Sequence, residues 1–408
     1  LTIYCVDELY LAKIFNKKIR QHSNSTTQQL NNSTTFQYIS TMKYNISFQP
    51  ASKSRLASVD FDNIPFGKIF SDHMFVADYY DGEWHDFRIV PFGPITMSPA
   101  NLTLHYGQSI FEGMKAFKNQ EGTPVLFRPE LHAQRINASA ARMCMPDIPE
   151  DLFEQALHEL IGVDHAWIPT DLNSSLYIRP FMFATEEIIG VKPSAKYKFM
   201  IFTAPVGPYY DKPITLIAAN KYVRAVPGGV GEAKAAGNYA AGLLPTQEAH
   251  DAGFNQIMWT DNHDYQQIQE CGTMNIFFII GDTVVTPETN GAILKGITRK
   301  TLIQLLREKG IKVEERAISI NELVEAHAAG TLKDAFGAGT AAVMAPVIEI
   351  SYYENKDDEN YKTFRLPAVE TRNISSELKK ELLEIRTGLR PDPHNWVHEV
   401  AVREVAAV

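Results

Sequence analysis

Lys234 stands in the run Gly228-Gly229-Val230-Gly231-Glu232-Ala233-Lys234-Ala235-Ala236-Gly237-Asn238-Tyr239, and Glu270-Cys271-Gly272-Thr273-Met274-Asn275 follows 36 residues after the lysine. Glycines and alanines leave little side-chain bulk around the amine, so a flat ligand could lie against the backbone there. Glu270 precedes a strand-like run and is flanked by small polar residues, which makes it a candidate charge partner for such a ligand. An amine that condenses with an aldehyde, together with a carboxylate for a protonated pyridine nitrogen, is what pyridoxal 5′-phosphate (PLP) asks of a protein. The alternative for each residue alone is a solvated surface group, a lysine in a glycine turn and a carboxylate in a loop.

The chain that must position these groups has 408 residues, enough for two domains with separate cores. Its apolar content of 45% and charged content of 21% are ordinary for a globular protein. A net charge of −9 argues against nucleic acid or an anionic membrane surface as the main partner. No apolar run approaches the ~18 residues of a spanning helix. Cys5, Cys144 and Cys271 are too scattered for a disulfide framework or a metal site, which suits a reducing, cytoplasmic setting. His394 and His398 lie four apart, but no glutamate directly follows His394 and no third ligand is evident, so zinc is not expected. The Gly228–Lys234 run also lacks the ending of a P-loop.

Runs rich in Ile, Phe, Met and Tyr predict strands over Leu176–Phe183, Lys198–Ala204, Ile214–Ala218, Asn255–Trp259 and Asn275–Ile280. Helices are expected over 150–162, 299–309, 319–329 and 375–388. The third opens on Ser319-Ile320-Asn321-Glu322, a capping-box pattern. Strands in clusters, without strict alternation with helices, indicate an α+β or mixed α/β architecture. Pro205-Val206-Gly207-Pro208 and Asp211-Lys212-Pro213 punctuate the middle of the chain. The expected division is therefore a smaller N-terminal domain over 42–206, a linker over 207–217 and a larger domain over 218–408.

Seven segments, in order, resemble the branched-chain amino acid aminotransferases, PLP enzymes of fold type IV. They are Phe66–Met74, Leu104–Phe117 (LHYGQSIFEGMKAF), Leu126–Pro129, Ser175–Pro180, the Lys234 loop, the Glu270 segment and Phe336–Ala341, spread over roughly 60–405. The resemblance implies a two-domain fold and reversible transfer of the amino group of leucine, isoleucine or valine to 2-oxoglutarate. FEGMKAF and Tyr177–Pro180 speak against two enzymes of related fold, D-amino acid aminotransferase and aminodeoxychorismate lyase. An intact Lys234, Glu270, Tyr239 and Arg135 speak against a non-catalytic PLP-binding protein.

By the same resemblance, Lys234 carries the cofactor and moves the substrate proton, Glu270 faces the pyridine nitrogen, and Tyr239 meets the phenolic oxygen. Thr273 supports the ring. Arg135 grips the phosphate with the helix-start residues Ile297 and Thr298 and with Thr340; Arg128 and Arg142 are nearby rivals that only geometry can exclude. Thr340 and Ala341 receive the substrate α-carboxylate. Phe66, Tyr106, Phe111 and Tyr177 match the side-chain pocket, Arg179 the group that meets a distal carboxylate, and Val191 a residue lent by a second subunit, which implies a homodimer. Core packing is the alternative for the aromatic residues. In animal members Cys-x-x-Cys follows the Gly-Thr-Ala turn; here those positions are Ala342-Val343-Met344-Ala345, so a thiol switch is absent.

Residues 1–41 read differently from the rest. Over 21–41, 16 of 21 residues are Ser, Thr, Asn or Gln, with no Asp, Glu, Lys or Arg, the composition of a disordered segment. The chain begins with Leu1 and its first methionine is Met42, so 1–41 is expected to be an upstream or non-native extension; an organelle-targeting segment is the other reading. Deleting 1–41 should leave thermal stability and activity intact, and a large loss of either would overturn the first reading.

Overall fold

Strand Ser175–Ala184 shows how the chain builds its first sheet: burial alternates through its middle, and its long apolar residues Leu176, Ile178 and Met182 are fully enclosed. The computed structural model describes residues 43–209 and 212–403; the expectations for 1–41 lie outside them. Ser175–Ala184 runs antiparallel to Tyr197–Val206, which pairs in turn with His73–Tyr80 and then Glu83–Pro91. On its other side follow Met114–Lys118, Pro124–Phe127 and finally Val397–Glu399. Helices Pro129–Arg142 and Glu150–Val163 cover this sheet and bury Ile136, Leu152, Phe153 and Leu160 against it.

The second sheet closes on itself. Ile268–Cys271, Gln256–Thr260, Ile214–Ala218, Val343–Tyr352, Leu332–Gly339 and Met274–Ile280 pair in sequence, and Met274–Ile280 pairs back to Ile268–Cys271. A closed ring has no edge to protect, and its interior is filled by Leu216, Met258, Ile276, Phe278, Ala335, Val347 and Ile350. Helices Ile297–Glu308 and Asn373–Arg386 pack outside it, around Phe277, Phe336, Leu302 and Leu382. No helix among the described residues is long and apolar enough to cross a membrane.

The expected elements occur with ends shifted by a residue or two. Helices occupy Glu150–Val163, Ile297–Glu308, Ile320–Ala328 and Asn373–Arg386, and the Ser319 side chain accepts from the Glu322 amide as the capping pattern requires. Ile297–Glu308 starts before the expected 299 because Gly296, in extended conformation, stops the preceding loop. Two features cut across the simple division of the chain. Ile214–Ala218 is already a strand of the second sheet, so the stretch joining the sheets is 207–213 rather than 207–217. Val397–Glu399 returns to the first sheet, because its backbone completes the open edge of Pro124–Phe127.

Candidate active site

Where the two sheets meet, a cavity of about 600 Å³ opens. The first sheet contributes Phe111, Tyr177, Arg179, Phe181 and Phe202; the closed ring and its helix contribute Thr273, Asn275, Gly296, Ile297, Thr298, Thr340 and Ala341. Lys234 stands between them. Its backbone is strapped to the first sheet, with its carbonyl accepting from the Phe111 amide at 3.0 Å and its amide donating to Ser139 Oγ at 3.0 Å. Its Nζ donates to Tyr239 Oη at 2.8 Å and lies 4.7 Å from the Phe111 ring centroid. Helix Ala236–Ala241 starts just after the lysine, so Tyr239 reaches back over it.

Glu270 lies in a strand, paired with Asn275 across the hairpin whose turn is Gly272-Thr273. Gly272 has φ of 53°, and a Cβ there would collide with the Gln256 side chain, so the turn needs glycine. The Glu270 carboxylate is 3% exposed. It accepts from the Leu294 amide at 2.7 Å and is paired with Arg224 Nε at 3.1 Å. Burial pushes its carboxyl above the ordinary value; Arg224, the Leu294 amide and Lys234 oppose that push. A cation arriving over Glu270 would act in the same sense as Arg224.

Arg135 projects from helix Pro129–Arg142 into the same cavity. Its Nε and Nη2 each donate to Glu112 at 2.7 Å, a bidentate pair, and its Nη1 donates to the Lys295 carbonyl at 3.2 Å. Glu112 is wholly buried and also accepts from His132 Nδ1 at 2.7 Å. Burial alone would raise the Glu112 carboxyl, but Arg135 and His132 outweigh it and hold it well below the usual carboxylate range. Burial lowers His132, so the imidazole is a neutral donor and the cluster of Glu112, Arg135 and His132 carries no net charge. The two rival arginines point elsewhere. Arg128 donates to Thr301 Oγ1 and stacks on Trp396, while Arg142 reaches the Gly228 and Gly229 carbonyls.

Backbone is left bare at two points of the cavity. A Cβ at Gly113 would collide with Tyr177 Oη, and one at Gly296 with Asn275 Oδ1. At Gly296 the chain enters helix Ile297–Glu308, whose first amides have no acceptor within the helix. Such a helix start holds an anion without side-chain charge. Arg179 lies 4.6 Å over the Phe111 ring and donates to Tyr177 Oη at 2.9 Å; no carboxylate among the described residues pairs with it.

A family model for class IV aminotransferases matches residues 109–350, the stretch holding nearly all of this geometry. The chain is a class IV aminotransferase. Curated relatives of this aminotransferase include branched-chain-amino-acid aminotransferase 2 of Bacillus subtilis, 44% identical over 346 residues that cover 84% of this chain and 93% of that one. Another is the branched-chain-amino-acid aminotransferase of Mycolicibacterium smegmatis, 40% identical over 82% of this chain and 92% of that one. Among solved structures, the Escherichia coli branched-chain amino acid aminotransferase superposes with a TM-score of 0.64 at 26% identity, covering 81% of this chain and 99% of that chain. The branched-chain amino acid aminotransferase of T.th. with pyridoxamine 5′-phosphate gives 0.62 at 26%, over 79% and 98%. The fold of the aminotransferase is thus PLP fold type IV.

Within the aminotransferase the cavity gathers Phe66, Phe111, Arg135, Tyr177, Arg179, Lys234, Tyr239, Thr273, Ile297, Thr298, Thr340 and Ala341. Glu270 sits behind Asn275 and Leu294 of its wall. Tyr106 and Val191 do not reach it. Tyr106 ends the short helix Leu102–Tyr106 and is 40% exposed, and Val191 is 88% exposed. Sequence reading assigned no role to Glu112, His132 or Arg224. Glu112 stands inside the FEGMKAF segment, but nothing local says that its carboxylate faces Arg135.

Removing that carboxylate leaves a buried guanidinium without its partner. Glu112→Gln is expected to lower the unfolding free energy by about 3–5 kcal/mol in urea denaturation; a change below about 1 kcal/mol would contradict the clamp. Because the folded Glu112 carboxyl titrates below its ordinary 4.5, its stabilisation is complete above that value. It is lost only as acid takes the pH through the depressed folded value.

Proposed function

We propose that this chain catalyses reversible transfer of the amino group of L-leucine, L-isoleucine or L-valine to 2-oxoglutarate, with PLP held in the cavity at Lys234. The observation that carries the reading is the convergence of Lys234, Tyr239, Arg135 and the start of helix Ile297–Glu308 on one cavity with Glu270 buried behind it. The curated relatives bear branched-chain names over more than four-fifths of this chain.

The residues present fit the cofactor. Class IV aminotransferases use PLP, and the group supplies, when bound, an aldehyde for the amine and a protonated ring that accepts electrons from the substrate Cα. Lys234 Nζ is the covalent attachment point, oriented by the Tyr239 hydroxyl. With PLP bound, Lys234 Nζ would be the group placed to take up and give back a proton at the substrate Cα. Glu270, buried and already held by Arg224 and the Leu294 amide, would be the carboxylate that favours a protonated pyridine nitrogen. Thr273, which lines the cavity, would support the ring. Arg135 Nη1, the amides of Ile297 and Thr298, and Thr340 hold the phosphate. The turn at Thr340 and Ala341 takes the α-carboxylate.

Phe66, Phe111 and Tyr177 form an aromatic wall against which aliphatic side chains are buried, at roughly 0.8 kcal/mol per CH₂. Arg179 stacks on Phe111 and Tyr177, rings that tolerate its charge beside an aliphatic substrate and leave it available to the distal carboxylate of glutamate. A homodimer completes the site. Leu104 and Tyr106 are 61% and 40% exposed, and Ile189 and Val191 are 75% and 88% exposed. The hydrogen bond from the Leu102 amide to the Glu186 carbonyl and the bridge between Asn101 and Glu187 hold these two segments side by side, forming one apolar patch for a second copy. The two sheets support a smaller domain over 42–206 and a larger one that begins with strand Ile214–Ala218, with Val397–Glu399 tying the end of the chain to the first. Scattered cysteines without a disulfide framework suit the cytoplasm.

Purified protein with PLP should show a visible absorption band that bleaches on adding L-leucine, and Lys234→Ala should show no such response. Double-reciprocal plots should be parallel, as for ping-pong exchange. A band that responds to D-alanine and ignores L-leucine would redirect the substrate; no band would remove the cofactor reading. Arg135→Ala should weaken PLP binding by roughly 10- to 100-fold, the loss of one charged hydrogen bond. Unchanged affinity would remove that assignment.

A further inference from the structure

Behind the phosphate end of the cavity lies a second, much smaller pocket of about 20 Å³, room for a single water. Ile297, Thr298 and Thr340 line both spaces. The far wall is made by Lys115, from strand Met114–Lys118, and Arg386, the last residue of helix Asn373–Arg386. Both are more than nine-tenths buried. Lys115 Nζ donates to the Ala341 carbonyl at 2.8 Å. Arg386 has neither a hydrogen bond nor an acidic partner among the described residues, and its buried Nε is unsatisfied. Its guanidinium is 4.7 Å from the Phe127 ring centroid and 6.0 Å from that of Phe117. Rings of that kind tolerate a cation but do not neutralise it.

A buried unpaired charge is expensive and persists where something compensates it. Burial draws the Arg386 guanidinium down to about 10, and burial with the Arg386 charge draws the Lys115 ammonium down to about 7. Three other arginines around the site show what is missing. Arg135 is matched by Glu112, Arg224 by Glu270 and Arg299 by Glu315. A phosphate monoester brings a charge of about −1.5 to −2 at neutral pH. Helix-start amides and an already neutralised Arg135 do not offset that.

We propose that Arg386 is a further anchoring residue for the 5′-phosphate of the cofactor, acting through the small pocket and supplying the positive charge that Arg135, clamped by Glu112, does not. The inference rests on the cofactor reading given above. It makes the protein without cofactor carry a destabilising charge that phosphate relieves. Arg386 is thus specific for the phosphate and indifferent to the pyridine ring.

The test compares PLP, pyridoxal and inorganic phosphate as ligands of the cofactor-free full chain, by fluorescence titration and thermal unfolding, in the native protein and in Arg386→Met, Arg386→Gln and Arg386→Lys. The two uncharged variants should lose roughly 10- to 100-fold in PLP affinity and a comparable factor for inorganic phosphate. Their affinity for pyridoxal should change less than about threefold. Their cofactor-free midpoints should equal or exceed the native one, with a smaller rise on adding PLP, and Arg386→Lys should recover most of the PLP affinity. PLP affinity within about threefold of native, equal losses for PLP and pyridoxal, or failure of both uncharged variants to fold without cofactor would each overturn the proposal. Native protein that binds no PLP would instead remove the cofactor reading, and this inference with it.

Discussion

The Glu112 carboxylate is the point on which the site hangs. Wholly buried, it takes both a bidentate arginine and a histidine, and an anion so placed is tolerable only with such partners. Its contacts join three elements: the strand end that carries Phe111, helix Pro129–Arg142, and, through Arg135 and the Lys295 carbonyl, the loop that enters helix Ile297–Glu308. The first sheet and the closed ring are thereby registered against each other at the cavity. The Phe111 amide also donates to the Lys234 carbonyl, so the lysine loop is held from the same strand end.

Charge balance then divides the cavity into two ends. At one, Glu270 is buried with Arg224 as its ion-pair partner, and a second cation beside it would further offset the cost of its burial. At the other, arginines and a helix start gather positive charge, which favours an anion. A ligand with a protonated ring and a phosphate meets both demands along its length. The aromatic wall between them and the stacked Arg179 give the substrate an apolar side with one conditional charge. The Arg179 guanidinium is held by rings and a hydroxyl without being tied to a carboxylate, which is what the proposed exchange of aliphatic and acidic substrates at one place would need.

Secondary structure followed local signals closely. The Ser319 cap and the apolar runs of the central strands each act within a few residues, and the structure places elements there with small changes of boundary. The joining stretch and the last strand were less legible. Ile214–Ala218 belongs to the ring because parallel neighbours on both sides bury it, and Val397–Glu399 belongs to the first sheet because an open edge accepts it. Neither neighbour is close in sequence. Glu112, Arg224 and Arg386 escaped notice for the same reason, since a charged residue becomes informative only when its partner, or the lack of one, is known.

The sequence by itself determined the chemistry available: a lysine among small residues, a carboxylate before a strand, and motifs whose order marks the family. These follow from residue type and spacing, which act locally. Tertiary structure decided which of three arginines faces the cavity, that Tyr106 and Val191 do not line their own chain's cavity, and that one buried guanidinium has no counter-charge among the described residues. Those outcomes depend on distances between residues far apart in the chain, and Coulomb energy and desolvation are set by such distances and by burial.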